Sequence, residues 1–363
     1  MENDSFQAEN LDTPPVTVEG ETTTPRCVPE GYALTLSDGT DLLLYPGVDA
    51  SGITFTNVDF RGLKLNGSIF NGCTFDNCNL SWTDFSDCMM QNCTIVNSDI
   101  SRTIFQRAIL IDSLIHPQEA FNTRFDAANI EGATFRGHFE RPEFHETQAF
   151  NARFENCMFS IIILNEANFF SSQFKDCTLE GFLSTGTSFV GTSFENCTLE
   201  HVLVKTSDFM NASFVNCNNE SSTLFHNCSF FGTKFSRCSF DNTDFEDSQF
   251  THCTFELCQF FGSEFQNSSI SESSSHSCGF NEIKFNNARI SGFTANFSRF
   301  RLCDWTDARI NDSTFSNCSL QGTQFSEATV RETEFPACQF DNHTEWPNGL
   351  QPPANAFNED EAA

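Results

Sequence analysis

The chain holds 44 phenylalanines but only 2 tyrosines and 3 tryptophans. A general need for aromatic bulk mixes the three types. This bias instead implies one apolar slot, used many times, in which a hydroxyl or an indole N–H finds no partner. Bases are also scarce. Nineteen Lys and Arg stand against 49 Asp and Glu, for a formal net charge of -30. That argues against direct nucleic-acid or anionic-membrane binding, and favours solubility or a basic partner. No apolar run reaches the 18 or more residues of a membrane-spanning helix. The start, Met1-Glu2-Asn3-Asp4, shows no basic region followed by an apolar core, so no secretory signal is visible. Export by a route without such a signal leaves no mark. P-loop, G-x-S-x-G, H-E-x-x-H and G-x-G-x-x-G patterns are all missing. No catalytic residue, cofactor or metal site is therefore expected.

What is present is a period. From Phe55 to Phe135 the fifth positions read Phe55, Phe60, Leu65, Phe70, Phe75, Leu80, Phe85, Met90, Ile95, Ile100, Phe105 and onward. Five matches neither a helix nor a simple strand, and a fixed short period marks a stacked repeat. The 17 cysteines obey the same period. All but Cys27 lie two residues before a fifth-position residue, and many are 20 apart, as in Cys157, Cys177, Cys197 and Cys217. The position is shared with Ala, Ser and Thr, as expected of a small buried residue. No C-x2-C pair suggests zinc. Reduced, packed thiols in a reducing cytoplasm are the expectation.

Writing the unit as i−2 to i+2, position i is Phe, Leu or Ile and position i−2 is small. Position i+2 is often Asn or Gly, as in Asn57, Gly62, Gly67, Gly72 and Asn77. In extended chain i−2 and i share a face, and Asn or Gly tolerates a tight turn. Each unit is thus one short side and a corner. Segments such as Cys73-Thr74-Phe75-Asp76-Asn77, Thr83-Asp84-Phe85-Ser86-Asp87 and Thr243-Asp244-Phe245-Glu246-Asp247 resemble the pentapeptide-repeat family. The resemblance covers about four fifths of the chain and implies an all-β fold, a right-handed quadrilateral parallel β-helix with four units per coil. The 20-residue cysteine spacing independently supports four sides. Fifty-six centres (Phe55 to Phe135, Phe144 to Phe214, Phe225 to Phe340) make about 14 coils. At roughly 4.8 Å per coil the rod is about 65 Å long.

The period slips twice. The stretches between Phe135 and Phe144, and between Phe214 and Phe225, are expected to be a bulge or short loop. Phe182 beside Ser184, and Phe293 beside Ala295, look like volume-conserving exchanges, whereas Ser275 has no such partner and marks a weak coil. Residues 1–28 are expected to be a disordered acidic segment, 29–50 a hairpin-like cap about Asp38-Gly39, 51–345 the β-helix and 346–363 a disordered tail.

Positions 20 apart stack on one face, so surface columns can be read directly. An outward apolar column holds Phe150, Phe170, Val190, Met210 and Phe231, and another holds Ile163, Leu183, Leu203 and Leu224. Exposed apolar columns mark a contact with a protein partner or a second copy of the chain, unless the chain's own segments cover them. An acidic column holds Glu180, Glu200, Glu220 and Asp241. Like charges stacked in register are structurally unfavourable. The best metal candidate is His138, Glu140, Glu143, His145 and Glu146, which a loop could gather as His and carboxylate ligands, against the leading reading of a solvated polar loop. The leading expectation is a non-enzymatic scaffold for protein–protein interaction, a role the resemblance also allows as an effector or regulator. The alternative the resemblance implies is DNA mimicry directed at gyrase or topoisomerase, including protection against quinolones. The repeats weaken it: residues 51–343 carry 35 acids and 18 bases, -17, where a duplex of about 65 Å carries roughly 40 charges.

Overall fold

The computed structural model describes residues 17–18, 23–28, 31–36, 39–219, 221–347, 350 and 357–358. Among them the chain is strands and turns, with no helix. Strands and single bridges pair in parallel with the chain about 20 residues on: Thr54–Thr56 with Thr74–Asp76, then Thr94–Val96, then Leu114–His116. The result is a square β-solenoid of about 14 coils. We number its faces by their central residues. Face 1 carries Phe125, Phe144 and Leu164, face 2 Ile130, Ala149 and Phe169, face 3 Phe135, Phe154 and Phe174, and face 4 Ala120, Phe139 and Phe159.

Corners turn because the i+2 residue takes a left-handed backbone. Asn57 has φ 58° and Asn77 has φ 51°. Short polar side chains and glycine accept that region cheaply. Less suited residues are also held there, including Trp82 and Ile161.

The central side chains point inward and stack on their copies one coil away. On face 3 the Phe194 and Phe214 rings lie 4.8 Å apart and 5° from parallel, and Phe214 and Phe235 5.1 Å apart and 5° from parallel. Rings on adjacent faces meet edge to face, as Phe225 and Phe230 do at 5.8 Å. Each buried ring contributes roughly 1.5–3 kcal/mol before chain entropy is counted. A Trp in this slot shows why Phe dominates. Trp305 stacks on Phe285 at 4.1 Å, yet its buried indole N–H has no hydrogen-bond partner.

The i−2 residue does more than fill space. Thr83 Oγ1 donates to the Phe60 carbonyl at 2.8 Å, and Cys93 Sγ to the Phe70 carbonyl at 2.9 Å. Ser113 Oγ donates to the Met90 carbonyl at 2.8 Å. Each bond joins one coil to the central carbonyl of the preceding side one coil below. Cys, Ser and Thr interchange because each is small and carries a donor.

Neither slip in the period is a loop. Thr134–Glu140 is a continuous strand, and Phe139 fills the face 4 slot, stacked on Phe159 at 5.5 Å. One side is simply a residue short, and the neighbouring strand bulges between Phe154 and Cys157 to restore register. At the second slip Asn219 pairs with Leu199 in the central position. Its side chain donates to the Asp241 carbonyl at 2.6 Å and accepts from the Asp241 N–H at 2.8 Å. An amide that bonds backbone instead of filling the core accommodates the extra residue that follows. The coil through Ser275 is also complete: Ser275 is buried, pairs with Phe255 and Ala295, and bonds Ser298 Oγ at 3.2 Å. Phe182 and Ser184 are both buried, as are Phe293 and Ala295.

The described residues at the two ends pair with the first and last coils. Within 1–28, Thr17–Val18 pairs with Thr54–Phe55, Thr23 bridges Val58, and Arg26–Val28 joins Gly31–Thr35. With Asp41–Leu44 this makes a three-stranded antiparallel sheet, not a lone hairpin. It places Leu34 and Leu44 in the core, closing the open first coil. Asp38 of the expected turn lies outside the described residues. At the other end Trp346 stacks on Phe325 at 5.9 Å, and Phe357–Asn358 pairs with Gln339–Phe340.

Two substitutions separate these contributions. Phe230 stacks between Phe209 at 4.9 Å and Phe250 at 4.7 Å, so Phe230→Ala is expected to cost about 3–5 kcal/mol in denaturant unfolding. The buried Ser184 hydroxyl has no partner, so Ser184→Ala is expected to be neutral or to stabilise by about 1 kcal/mol. A clear loss at Ser184 contradicts the assignment of an unpaired hydroxyl.

Candidate functional site

The first apolar column runs along face 2. The backbone ladder carries Phe150, Phe170, Val190, Met210 and Phe231 in register, with Asn151 N–H donating to the Phe170 carbonyl, Ser171 to Val190, Gly191 to Met210 and Asn211 to Phe231. Phe170 is 46% exposed, Met210 37% and Phe231 44%, while Phe150 and Val190 are half-buried. Phe150 and Phe170 meet edge to face at 6.3 Å. Side chains beneath fix the column: Asn168 Oδ1 accepts the Phe170 N–H at 3.1 Å and Asp208 Oδ1 the Met210 N–H at 2.9 Å. The same ladder places Glu131 below Phe150 and Thr251 above Phe231, so the apolar run is bounded at both ends. Among the described residues no chain segment lies over it. Thr17–Val18 and Thr23 sit on the first coil, and Phe357–Asn358 on the last.

The second column, Ile163, Leu183, Leu203 and Leu224, is in register on face 1 and half-buried. The structure does not merge it with the first. Two polar columns run between them: Asn165, Thr185, Lys205 and His226, then Asn168, Ser188, Asp208 and Ser229. The columns are separate stripes on adjacent faces.

Glu180 and Glu200 pair in register on face 4, and Ser160 Oγ donates to Glu180 Oε2 at 3.3 Å. Glu220 lies outside the described residues. Asp241 is engaged locally, accepting the Phe261 N–H at 3.1 Å. The sequence reading missed Glu140, which lies in the same column below Ser160.

The expected polar loop is instead two sides of the solenoid. His138 and Glu140 flank Phe139 on face 4, whereas Glu143 and His145 flank Phe144 on face 1. Face 1 supplies Glu143 and His145 with a different partner, Asp126, one coil below. A matching group, His226, Asp244 and Glu246, closes the other end of the Leu column on the same face. There His226 Nε2 bonds Glu246 Oε2 at 2.9 Å. Burial pushes the Asp244 carboxyl upward, opposed by the Glu246 N–H and by His226. The sequence signal for Asp126 was its 19-residue distance from His145, one coil minus the residue lost at the first slip.

The thiols are buried except Cys27, and all are free. Burial pushes the Cys73 thiol up to about 11 and those of Cys78, Cys88, Cys93, Cys228 and Cys253 up to about 12.

A square parallel solenoid with inward Phe and small donors defines a repeat scaffold. The model for pentapeptide repeats matches it with 8 copies, over residues 53–92, 78–113 and 225–272. Residues 53–113 and 225–272 are pentapeptide repeats. No curated protein matches it. It is similar to HetL, a pentapeptide repeat protein of heterocyst differentiation regulation from the cyanobacterium Nostoc sp. strain PCC 7120, at 11% identity over 85% of this chain and 93% of HetL, with a TM-score of 0.20. It is similar to trypsin-treated QnrB1, a plasmid-mediated fluoroquinolone resistance protein, at 16% identity over 55% of this chain and 88% of that one, TM-score 0.28. The surface adhesin PfbA of Streptococcus pneumoniae is 10% identical over 84% and 85%, TM-score 0.34. At these scores the likenesses add nothing to what the strand register already defines.

Thiol behaviour tests the packing. A thiol raised on folding keeps its full contribution below its unfolded pKa, near 8.5, and loses it as pH rises toward 12. The contribution of these six thiols to stability against denaturant is therefore expected to be flat from neutrality to about pH 8 and to fall steadily above pH 9. A thiol reagent at neutral pH is expected to modify Cys27 alone in the native chain and all 17 cysteines after unfolding. Rapid native labelling of several more contradicts the buried ladder.

Proposed function

We propose that this chain is a non-catalytic scaffold that binds a protein partner through the apolar column of face 2. The observation that carries this is the bounded run from Phe150 to Phe231, with three of its five side chains more than a third exposed. Five rungs at roughly 4.8 Å give a stripe about 20 Å long. Stripes of this kind are uncommon on soluble surfaces unless something covers them. The occupant is a different protein or a second copy of the chain. The Ile163 to Leu224 stripe on face 1 is a subsidiary contact.

A second reading is mimicry of DNA toward a gyrase or topoisomerase. The net charge of -30 favours it. The low charge density of the repeats and the local engagement of Asp241 count against it.

The test is the double variant Phe170→Asp with Met210→Asp. Both side chains point outward, so thermal unfolding is expected to match wild type. Sedimentation velocity and affinity purification are expected to show that self-association, or co-purifying proteins retained by wild type, are lost. Unchanged association removes face 2 from consideration. A supercoiling assay with purified protein and gyrase separates the second reading: inhibition at micromolar protein supports mimicry, and its absence leaves the scaffold.

A further inference from the structure

Face 1 carries a compact polar block where the first slip shortens the solenoid. Arg124 and Asp126 flank Phe125, and Glu143 and His145 flank Phe144 one coil above. The shortened side leaves these neighbours directly in register, with Arg124 bridging to Glu143 and the Ala127 N–H bonded to the His145 carbonyl. Asp126, Glu143 and His145 each offer a donor atom within 4.8 Å of the other two.

The charges are only partly balanced. Arg124 reaches Asp126 Oδ2 at 2.8 Å and Glu143 Oε2 at 3.3 Å. One cation faces two carboxylates, so Arg124 balances only part of the acidic charge of the block. Asp126 is only 7% exposed, and its Oδ1 is buried without a hydrogen-bond partner. An unpaired buried carboxylate oxygen is costly. A buried acidic side chain at this turn position also has no packing reason to be there, since Gln106 holds the same column one coil below and Asn165 two coils above. The companion cluster is different: His226 is already bonded to Glu246, and none of its three members is buried.

We propose that Asp126, Glu143 and His145 form a binding site for a divalent transition-metal ion of the zinc class. One imidazole and two carboxylates suit such an ion, with bonds near 2.0–2.2 Å. Tetrahedral donors then sit roughly 3.4 Å apart, so from within 4.8 Å the most distant pair closes by about 1.4 Å at most. Three protein donors leave a fourth position on the open side of Glu143. Arg124 holds one oxygen of each carboxylate, removes one charge and fixes the carboxylate orientation.

The experiment is calorimetric titration of Zn2+ into the full chain with Cys27→Ser, which removes the exposed thiol, backed by Co2+ absorption as a readout of a nitrogen–oxygen site. One equivalent is expected. His145→Ala and Asp126→Asn are each expected to weaken binding at least tenfold, with metal-free melting unchanged, while His226→Ala leaves it intact. Asp126→Asn keeps shape and volume, so it remains informative if His145→Ala folds poorly. The proposal is overturned if the parent chain binds no Zn2+, if both variants bind as tightly as the parent, or if His226→Ala alone abolishes binding.

Discussion

The structure depends on the bond between one coil and the next. Each inward ring lies about 5 Å from its copy below, and each small donor two residues earlier reaches a carbonyl one coil down. The ring stack is apolar and non-directional, so alone it tolerates slippage. The Ser, Thr or Cys donor is directional and fixes register. Together they keep identical positions vertically aligned over about 14 coils, and every surface column is a consequence of that alignment.

The alignment also governs how errors are absorbed. A residue lost near Phe139 and a residue gained near Asn219 move nothing beyond one side. In the first case a Phe still fills the slot and the facing strand bulges. In the second an amide leaves the core and bonds the backbone at Asp241. A stacked architecture repairs locally because each coil touches only its neighbours. Such repairs also create unusual surroundings, and the block around Asp126 lies beside one of them.

The outer columns follow different rules from the core. Inward positions accept few residue types, whereas outward positions are free to vary. A run of Phe, Val and Met on face 2 is therefore not forced by the fold, and its ends at Glu131 and Thr251 define it as a discrete surface. The Leu run on face 1 is narrower, half-buried and closed at each end by a histidine with carboxylates. The two stripes belong to adjacent faces with Asn, Ser, Thr and Lys between them.

The sequence by itself determined the solenoid. A period of five and cysteines 20 apart leave few other ways to bury 44 phenylalanines, because only a repeating coil gives every fifth residue the same interior. It also determined which residues share a column, since register follows from counting. What it could not supply was the outcome wherever counting failed. Phe139 in a full slot, Asn219 turned to the backbone, and the strands at Thr17–Val18 and Arg26–Val28 depend on contacts between coils that have no periodic mark. The same holds for Asp126. Its carboxylate is an ordinary acidic corner residue until the shortened side brings Glu143 and His145 above it, and only then is it buried and short of a partner. Periodicity encodes the ladder, but burial and charge balance at a break in the ladder are decided by three-dimensional packing.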